Sequence, residues 1–325
     1  MLSNFAYVRA HSVREAVKHL AWDNARLHAG GTDLLGCLRD HVFHADKVVS
    51  ISRLNALKGI RETAQGGVRI GALTTITEVA ENSILNRRFK ALARGASEVA
   101  SPQLRNQGTL GGNICQKPRC WYYRGEFDCL RKGGDRCFAV GGENQFHCIF
   151  GGDSCYIVHP SDTAPALVAL DATVRIVGQR GTRTVPMADF HVPPGRDVLR
   201  DTVLDPDEIV TEIAVPPAPS GLRSSYRKVR ARRSWDFALA GVALAIVFNG
   251  DIVDSAKVVL SGVAPVPWRS MEVEEIITGN PLNAEVAAKA AEAAVKNASP
   301  MEKNGYKIPL LRGVIEEELL AAAGA

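Results

Sequence analysis

The chain has 325 residues, 46% apolar and 23% charged, the composition of an ordinary soluble globular protein with room for two or three domains. Its formal net charge of +4, from 39 basic and 35 acidic residues, is too small to imply a nucleic-acid partner. No run approaches the roughly 18 consecutive apolar residues of a membrane span, and Met1-Leu2-Ser3-Asn4-Phe5 has neither the basic nor the apolar region of a signal peptide.

The pattern predicts β–α–β first. Residues 5–8 read as a short strand, and Ser12 with Glu15 three positions on reads as a capping box for a helix through Val17 and Leu20. Residues 25–29 read as a second strand, ending in Gly30-Gly31-Thr32-Asp33; Leu34, Leu35 and Leu38 open a second helix, and residues 48–51 give a third strand. A β-rich middle follows, with a hairpin of residues 60–63 and 68–70 around Gly66-Gly67. Helices are expected at 77–82, 89–99 and 164–170, and a second hairpin at 173–177 and 182–185. The clearest linker runs from Pro216 to Gly221. Beyond it lie three strands (225–229, 241–248, 256–263) and three helices (270–278, 284–297, 308–323), a separate α+β module.

Four motifs carry chemistry. Ala29-Gly30-Gly31-Thr32-Asp33-Leu34 sits at a strand-to-helix junction, where a glycine pair lets backbone N–H groups approach a diphosphate. The plain alternative is a turn capped by Thr32 or Asp33. Asn106-Gln107-Gly108-Thr109-Leu110-Gly111-Gly112-Asn113 reads as a compact loop of exposed amides for a diphosphate or the polar edge of a flavin, or else as a glycine turn between helix and strand. Two separated glycine loops suit an extended dinucleotide between two subdomains, and the absence of Gly-x-Gly-x-x-Gly argues against a Rossmann site.

The third motif is a segment holding six of the seven cysteines: Cys115, Cys120, Cys129, Cys137, Cys148 and Cys155. It contains no Cys-x-x-Cys, and zinc ligands usually come as close pairs. Long loops between single cysteines suit a bulkier iron–sulfur cluster, with structural zinc or free thiols as alternatives. Lys117, Arg119, Arg124, Arg131, Lys132 and Arg136 outnumber Glu126, Asp128 and Asp135 and would offset a cluster's negative charge. The fourth motif, His159-Pro160-Ser161-Asp162, precedes a helix; Ser161 or Asp162 caps it, or Asp162 accepts from a ribose hydroxyl. A basic run, Arg223, Arg227, Lys228, Arg230, Arg232 and Arg233, reads as a solvated face or a site for a negative partner. His147 beside Cys148 is suggestive only as a pair, and no catalytic triad is visible.

The two glycine motifs and His159-Pro160-Ser161-Asp162 together resemble the FAD-binding signatures of the xanthine dehydrogenase medium subunit, in the molybdenum hydroxylase family. The stretches 226–239 and 262–269 resemble that family's C-terminal domain, so the likeness covers nearly the whole chain. The cysteine segment is similar to the [4Fe–4S]-bearing insertion in flavin subunits of bacterial periplasmic aldehyde oxidoreductase and, less closely, 4-hydroxybenzoyl-CoA reductase. The resemblance implies an α+β fold: a two-lobed, PCMH-like FAD-binding domain over residues 1–218, with lobes of about 1–55 and 56–218 and the iron–sulfur segment at 115–155, then a sheet-plus-helices domain of the CO dehydrogenase flavoprotein type over 222–325.

It puts FAD on Ala29, Gly30, Gly31, Thr32, Asp33, Leu34, Asn106, Gly108, Thr109, Gly111, Gly112, Asn113, Ser161, Asp162 and Lys228, and the cluster on Cys120, Cys129, Cys137 and Cys155. Cys148 competes as fourth ligand, Cys37 is expected to pack on a helix, and Cys115 to belong to a strand beside the flavin. The implied partners are a large subunit with the molybdopterin cofactor, a small subunit with two [2Fe–2S] clusters, and an external electron acceptor. The implied compartment is the cytoplasm, or the periplasm if a partner carries the export signal. The alternatives are a self-sufficient flavin oxidase and a zinc-stapled assembly subunit.

Overall fold

The computed structural model describes residues 2–324. The first lobe is β1 (Ala6–Arg9), α1 (Val13–Leu20), β2 (Ala25–His28), α2 (Leu34–Arg39) and β3 (Lys47–Ser50). The strands lie parallel in the order β1-β3-β2, as βαβ crossovers require. Ser12 caps α1 as expected, accepting from the Glu15 amide. The Glu15 carboxylate, however, takes the His11 amide and not that of Ser12, so the reciprocal half of the capping box is displaced by one residue. Ala16, Val17, Leu20, Val49 and Ile51 close a small core between helix and sheet.

The second lobe begins with β4 (Ile60–Glu62) and β5 (Val68–Gly71), the expected hairpin. Short helices follow: α3 (Ile76–Glu81), α4 (Ser83–Arg88), α5 (Lys90–Ser97), α6 (Pro102–Arg105), α7 (Leu110–Ile114), α8 (Trp121–Arg124) and α9 (Thr163–Ala169). Then come β6 (Thr173–Gly178), β7 (Gly181–Pro186) and β8 (Ile209–Val215), in a sheet ordered β4-β5-β8-β6-β7. β8, for which the sequence pattern carries no signal, sits at the centre and pairs antiparallel with both β5 and β6. Everything between residues 72 and 172 is therefore an excursion from one sheet, which the chain rejoins at Thr173 before β8 fills the gap between β5 and β6. The second glycine run is not a loop leading into a strand. It forms α7, whose cap is Thr109, and Cys115 ends this helix instead of lying on a flavin-side strand.

After the Pro-rich linker come β9 (Leu222–Val229), β10 (Ala240–Asn249), β11 (Ile252–Ser261), β12 (Trp268–Arg269), α10 (Met271–Ile277), α11 (Ala284–Val295) and α12 (Lys307–Ala323). The sheet is antiparallel, β12-β11-β10-β9. β10 is apolar on both faces for a reason: Val242, Leu244 and Ile246 enter the core under α10–α12, while Ala243 and Ala245 join the core of the second lobe. The C-terminal sheet is thus packed onto the second lobe.

His191, just after β7, is buried against His159, ring centroids 4.1 Å apart. Its Nε2 lies 2.9 Å from the Ile114 carbonyl, which can only accept, so Nε2 carries the hydrogen. Burial pushes the ring's pKa down to about 4. The unfolded chain protonates this imidazole below about 6.5; the fold resists protonation until about 4, so stability is lost as pH falls through that window. His191→Gln should flatten the fall of the urea midpoint between pH 6.5 and pH 4, and an undiminished slope would assign the acid sensitivity to other groups.

Candidate functional site: a cleft lined by two glycine segments

The turn after β2 carries the first glycine motif. Gly31 has φ +75, a left-handed conformation that favours glycine. A Cβ on Gly30 would stand 1.8 Å from the Gln107 carbonyl oxygen, so the two glycine segments meet here backbone to backbone. Among the described residues, the amides of Gly30, Gly31, Thr32, Asp33 and Leu34 have no acceptor within the protein. Five consecutive free N–H groups form a concave donor surface for an anion.

The second segment differs from expectation. Most of its amides are used internally: Gly108 to Leu104 O (2.7 Å), Leu110 to Thr74 O (2.9 Å), Gly111 to Ala72 O (2.9 Å), Gly112 to Thr109 Oγ1 (3.2 Å) and Asn113 to Thr109 O (2.8 Å). What it offers the cleft is the Thr109 amide, which has no acceptor among the described residues, and side chains. Asn113 Oδ1 accepts from Ser161 Oγ (2.5 Å) and Thr163 Oγ1 (2.7 Å), which fixes its orientation. Asn106 Oδ1 accepts from Thr77 Oγ1 at 2.6 Å. A cleft of about 680 Å³ runs along Gly30–Asp33, Gly108, Thr109, Gly112 and Asn113 to Asp162 and Phe237. A neighbouring compartment of about 340 Å³ shares the first turn with it and extends past Ala29 and Leu34. The structure thus brings the two glycine segments, Asn113 and Asp162 to one continuous depression.

Asp33 neither caps α2 nor waits for a phosphate. Its carboxylate accepts from the Lys117 amide (2.7 Å), Arg124 Nη2 (2.8 Å) and Arg119 Nη2 (2.9 Å). Asp201, not singled out from the sequence, is the matching anchor on the other side. It holds Lys117 Nζ at 2.5 Å and pairs with Arg131. Burial alone would raise its pKa, but these two cations outweigh burial and hold it below the ordinary carboxylate range. Four of the six basic residues expected to offset a cluster's charge are therefore committed to two aspartates. Lys132 donates to the Gly125 carbonyl, and Arg136 lies over the Phe138 ring.

Asp162 is 4% exposed and each of its oxygens has a partner: Oδ1 accepts from Tyr226 Oη and Oδ2 from Lys228 Nζ, both at 2.8 Å. Burial raises its pKa and Lys228 partly offsets this. β9 thus fixes the carboxylate at the edge of the cleft, and each oxygen retains acceptor capacity for the expected ribose hydroxyl. The capping role belongs to Ser161, whose Oγ takes the Ala164 amide at 3.0 Å. Lys228, expected on the cofactor, is locked by Asp162 and the Glu98 carbonyl. The rest of its basic run is no uniform face: Arg227 pairs with Glu317, Arg230 with Glu98, and Arg232 with Asp236. Tyr226, like Asp201, gave no signal in the sequence, because each acts on a partner more than sixty positions away.

All seven cysteines are free thiols. Cys129 and Cys155 are buried, while Cys120 and Cys137 are half-buried. Burial pushes the Cys120 thiol up to about 12, and the charges of Cys155 and Cys137 add to the shift. Cys148 is raised to about 12 in the same way, with Cys155 and Cys137 again contributing. Cys129 packs with Tyr123 beside Cys120, and its backbone bridges to Arg136, next to Cys137. Among the described residues, no three His, Cys, Asp or Glu side chains could hold a metal ion. The expected gathering of Cys120, Cys129, Cys137 and Cys155 at a point is therefore not formed in this structure.

Residues 3–218 match the family model described as the FAD binding domain in molybdopterin dehydrogenase, and residues 224–317 match the CO dehydrogenase flavoprotein C-terminal domain. The chain is 34% identical over 323 residues to the aldehyde oxidoreductase FAD-binding subunit PaoB of Escherichia coli, covering 98% of each chain. It is 32% identical to the glyceraldehyde dehydrogenase medium chain of Sulfolobus acidocaldarius, covering 91% of this chain and 89% of that one. Its fold superposes on carbon monoxide dehydrogenase of Hydrogenophaga pseudoflava, solved without the Mo-pyranopterin moiety, with a TM-score of 0.78 and 27% identity over 100% of this chain and 98% of the other. A two-lobed cleft of this kind, followed by a small sheet-and-helix domain, defines a flavin-binding component of an oxidoreductase. The chain belongs to the family of FAD-binding medium subunits of the molybdenum hydroxylases.

The Asp162–Lys228 pair joins the second lobe to β9. Lys228→Met should cost roughly 3–5 kcal/mol in urea unfolding, because it strands a buried carboxylate. Adding Asp162→Asn to it should recover part of the loss; equal stability of native protein and single variant would show that the pair is not what holds the two parts together.

Proposed function

We propose that this chain carries FAD in the cleft and relays electrons between the [2Fe–2S] clusters of a small partner subunit and an external acceptor, in a complex whose large subunit oxidises substrate at a molybdopterin cofactor. The observation that carries this reading is the run of free amides from Gly30 to Leu34 on the wall of a continuous cleft. A diphosphate is the group such a turn receives. The aldehyde-oxidising relatives favour an aldehyde as the substrate of the complex. The domain division follows the linker, with residues 1–218 holding the flavin and 222–325 bracing it. The compartment is the cytoplasm, or the periplasm when a partner carries the export signal.

Bound FAD supplies the one- and two-electron chemistry. The chain's own residues bind and orient it. The first turn receives the phosphates. Asn113, its oxygen held by Ser161 and Thr163, keeps its amide nitrogen for a polar edge of the ligand. Asp162, held by Tyr226 and Lys228, lines the far end of the cleft and offers its remaining acceptor sites to a ligand hydroxyl. Gly31→Val, at a left-handed φ, should distort the turn and release flavin while the C-terminal core stays folded. Flavin absorbance after gel filtration, read beside circular dichroism, tests this; full retention of flavin would remove the diphosphate from that turn.

The same reading puts one [4Fe–4S] cluster on Cys120, Cys129, Cys137 and Cys155. A cubane is wider than a single ion, so its thiolates stand apart and need not meet at a point. In support, Cys155 and Cys137 both contribute to the raised pKa of Cys120, Cys137 contributes to that of Cys155, and Cys129 is tied by backbone to the neighbour of Cys137. The positive charge of Arg131 lies close enough to Cys155 to oppose the effect of burial on that thiol. Anaerobically purified Cys129→Ser and Cys155→Ser should lose the EPR signal of the reduced cluster and most of the iron, while Cys148→Ser and Cys37→Ser keep both. Loss in Cys148→Ser with survival in Cys155→Ser would exchange the fourth ligand.

A further inference from the structure

Two arginines of the cysteine segment, Arg119 and Arg124, line the cleft beside the first glycine turn. Each binds the Asp33 carboxylate through Nη2, at 2.9 and 2.8 Å. Arg124 is held further by its Nε, which donates to the Pro118 carbonyl at 2.8 Å, and by a second bond from Nη2 to the Lys117 carbonyl at 3.2 Å. Arg119 Nη2 also donates to Gln116 Oε1 at 3.1 Å. The remaining terminal nitrogen, Nη1, has no acceptor in either residue among the described residues, and in neither is it sealed from solvent. Arg124 Nη1 stands over the first turn of α2: a Cβ on Gly36, which also lines the cleft, would be 4.0 Å from it.

The charges along the cleft give an independent reason to look here. Four carboxylates line it, those of Asp33, Asp40, Asp162 and Asp236. Asp40 is answered by Arg39, Asp162 by Lys228 and Asp236 by Arg232, one cation each. Asp33 is answered by two guanidinium groups. The surplus positive charge therefore lies at the turn whose amides are free from Gly30 to Leu34. Without it, the Asp33 carboxylate would repel any anion brought to those amides.

We infer that Arg124, with Arg119 beside it, donates from Nη1 to the diphosphate of FAD, so that the cysteine segment supplies the cationic half of the phosphate site and the glycine turn the amide half. The inference rests on the flavin reading above and deepens it. Guanidinium bonds to phosphate oxygens are charge-assisted and stronger than those from neutral amides. Asp33 fixes Nη2 of both side chains and so presents Nη1 in a set position before the ligand arrives.

The test titrates FAD into the deflavinated full chain at a series of salt concentrations. Arg124→Gln should raise the Kd roughly ten- to hundredfold, the loss expected for a charge-assisted hydrogen bond, and should flatten its salt dependence. Arg124→Lys, which keeps a cation, should retain most of that dependence. Arg124 also orders the turn through Asp33, and the double variant Asp33→Asn/Arg124→Gln separates the two roles. With direct contact the double variant stays weak; recovery of native affinity would leave Arg124 acting only through Asp33 and would overturn the contact. A native chain that binds no FAD would defeat the flavin reading and this inference together, whereas native binding with an unchanged Kd in Arg124→Gln would defeat the inference alone. Should the variants fail to fold, the native chain decides. FAD should slow phenylglyoxal modification of Arg119 and Arg124, mapped by mass spectrometry, and not that of Arg14 on α1; equal rates with and without FAD would overturn the assignment.

Discussion

The cysteine segment is held in place by two carboxylates. Between α7 and α9 the chain forms only α8, one 3-10 turn at Leu130–Lys132 and no strand, so it has no regular hydrogen-bond ladder to fix it. Asp33 takes an amide and two guanidinium groups from residues 117–124, and Asp201 takes Lys117 and Arg131. Arg131 is 6% exposed and also donates to the Val198 and Arg200 carbonyls. Ion pairs this buried add little net stability over apolar packing, but breaking one side of them is costly. Their effect is positional. Asp33 belongs to the same turn that presents free amides to the cleft, so the flavin wall and the cysteine segment share one anchor. Neither can shift without the other.

This sharing also explains what the sequence could and could not disclose. Strands and helices that obey a local rule were legible: alternation around Gly66-Gly67, the Ser12 cap, the apolar run of β10. β8 was not, because Ile209–Val215 follows a polar stretch and its partners β5 and β6 lie far back in the chain. The glycine-rich α7 was read as a loop because glycine is a poor helix former. Five residues capped by Thr109 form it regardless, since Gly111 sits against Ala72, where a Cβ would come within 2.9 Å of the alanine's own. Tertiary contact here overrides propensity.

The site was half legible for the same reason. Both glycine segments were found, but their roles separate only in three dimensions. The first turn keeps its amides free, whereas the second uses its glycines to pack and its flanking Asn113 to face the cleft. Asp162 stands out in its motif, but the cation that braces it does not. Its charge is answered 66 residues later by Lys228, on a strand of the other domain. A carboxylate that looks available in a linear motif becomes a brace once a buried cation reaches it. The pair then does for the two domains what Asp33 does for the cysteine segment.

The thiols add a constraint on how such a protein is assembled. Burial pushes Cys120 and Cys148 up to about 12 and raises Cys155, so the folded chain holds them as neutral thiols. A protonated, buried thiol is a poor nucleophile and resists oxidation. The fold therefore shields these thiols, and the ionic anchors at Asp33 and Asp201 that position residues 117–131 keep them in that shielded setting.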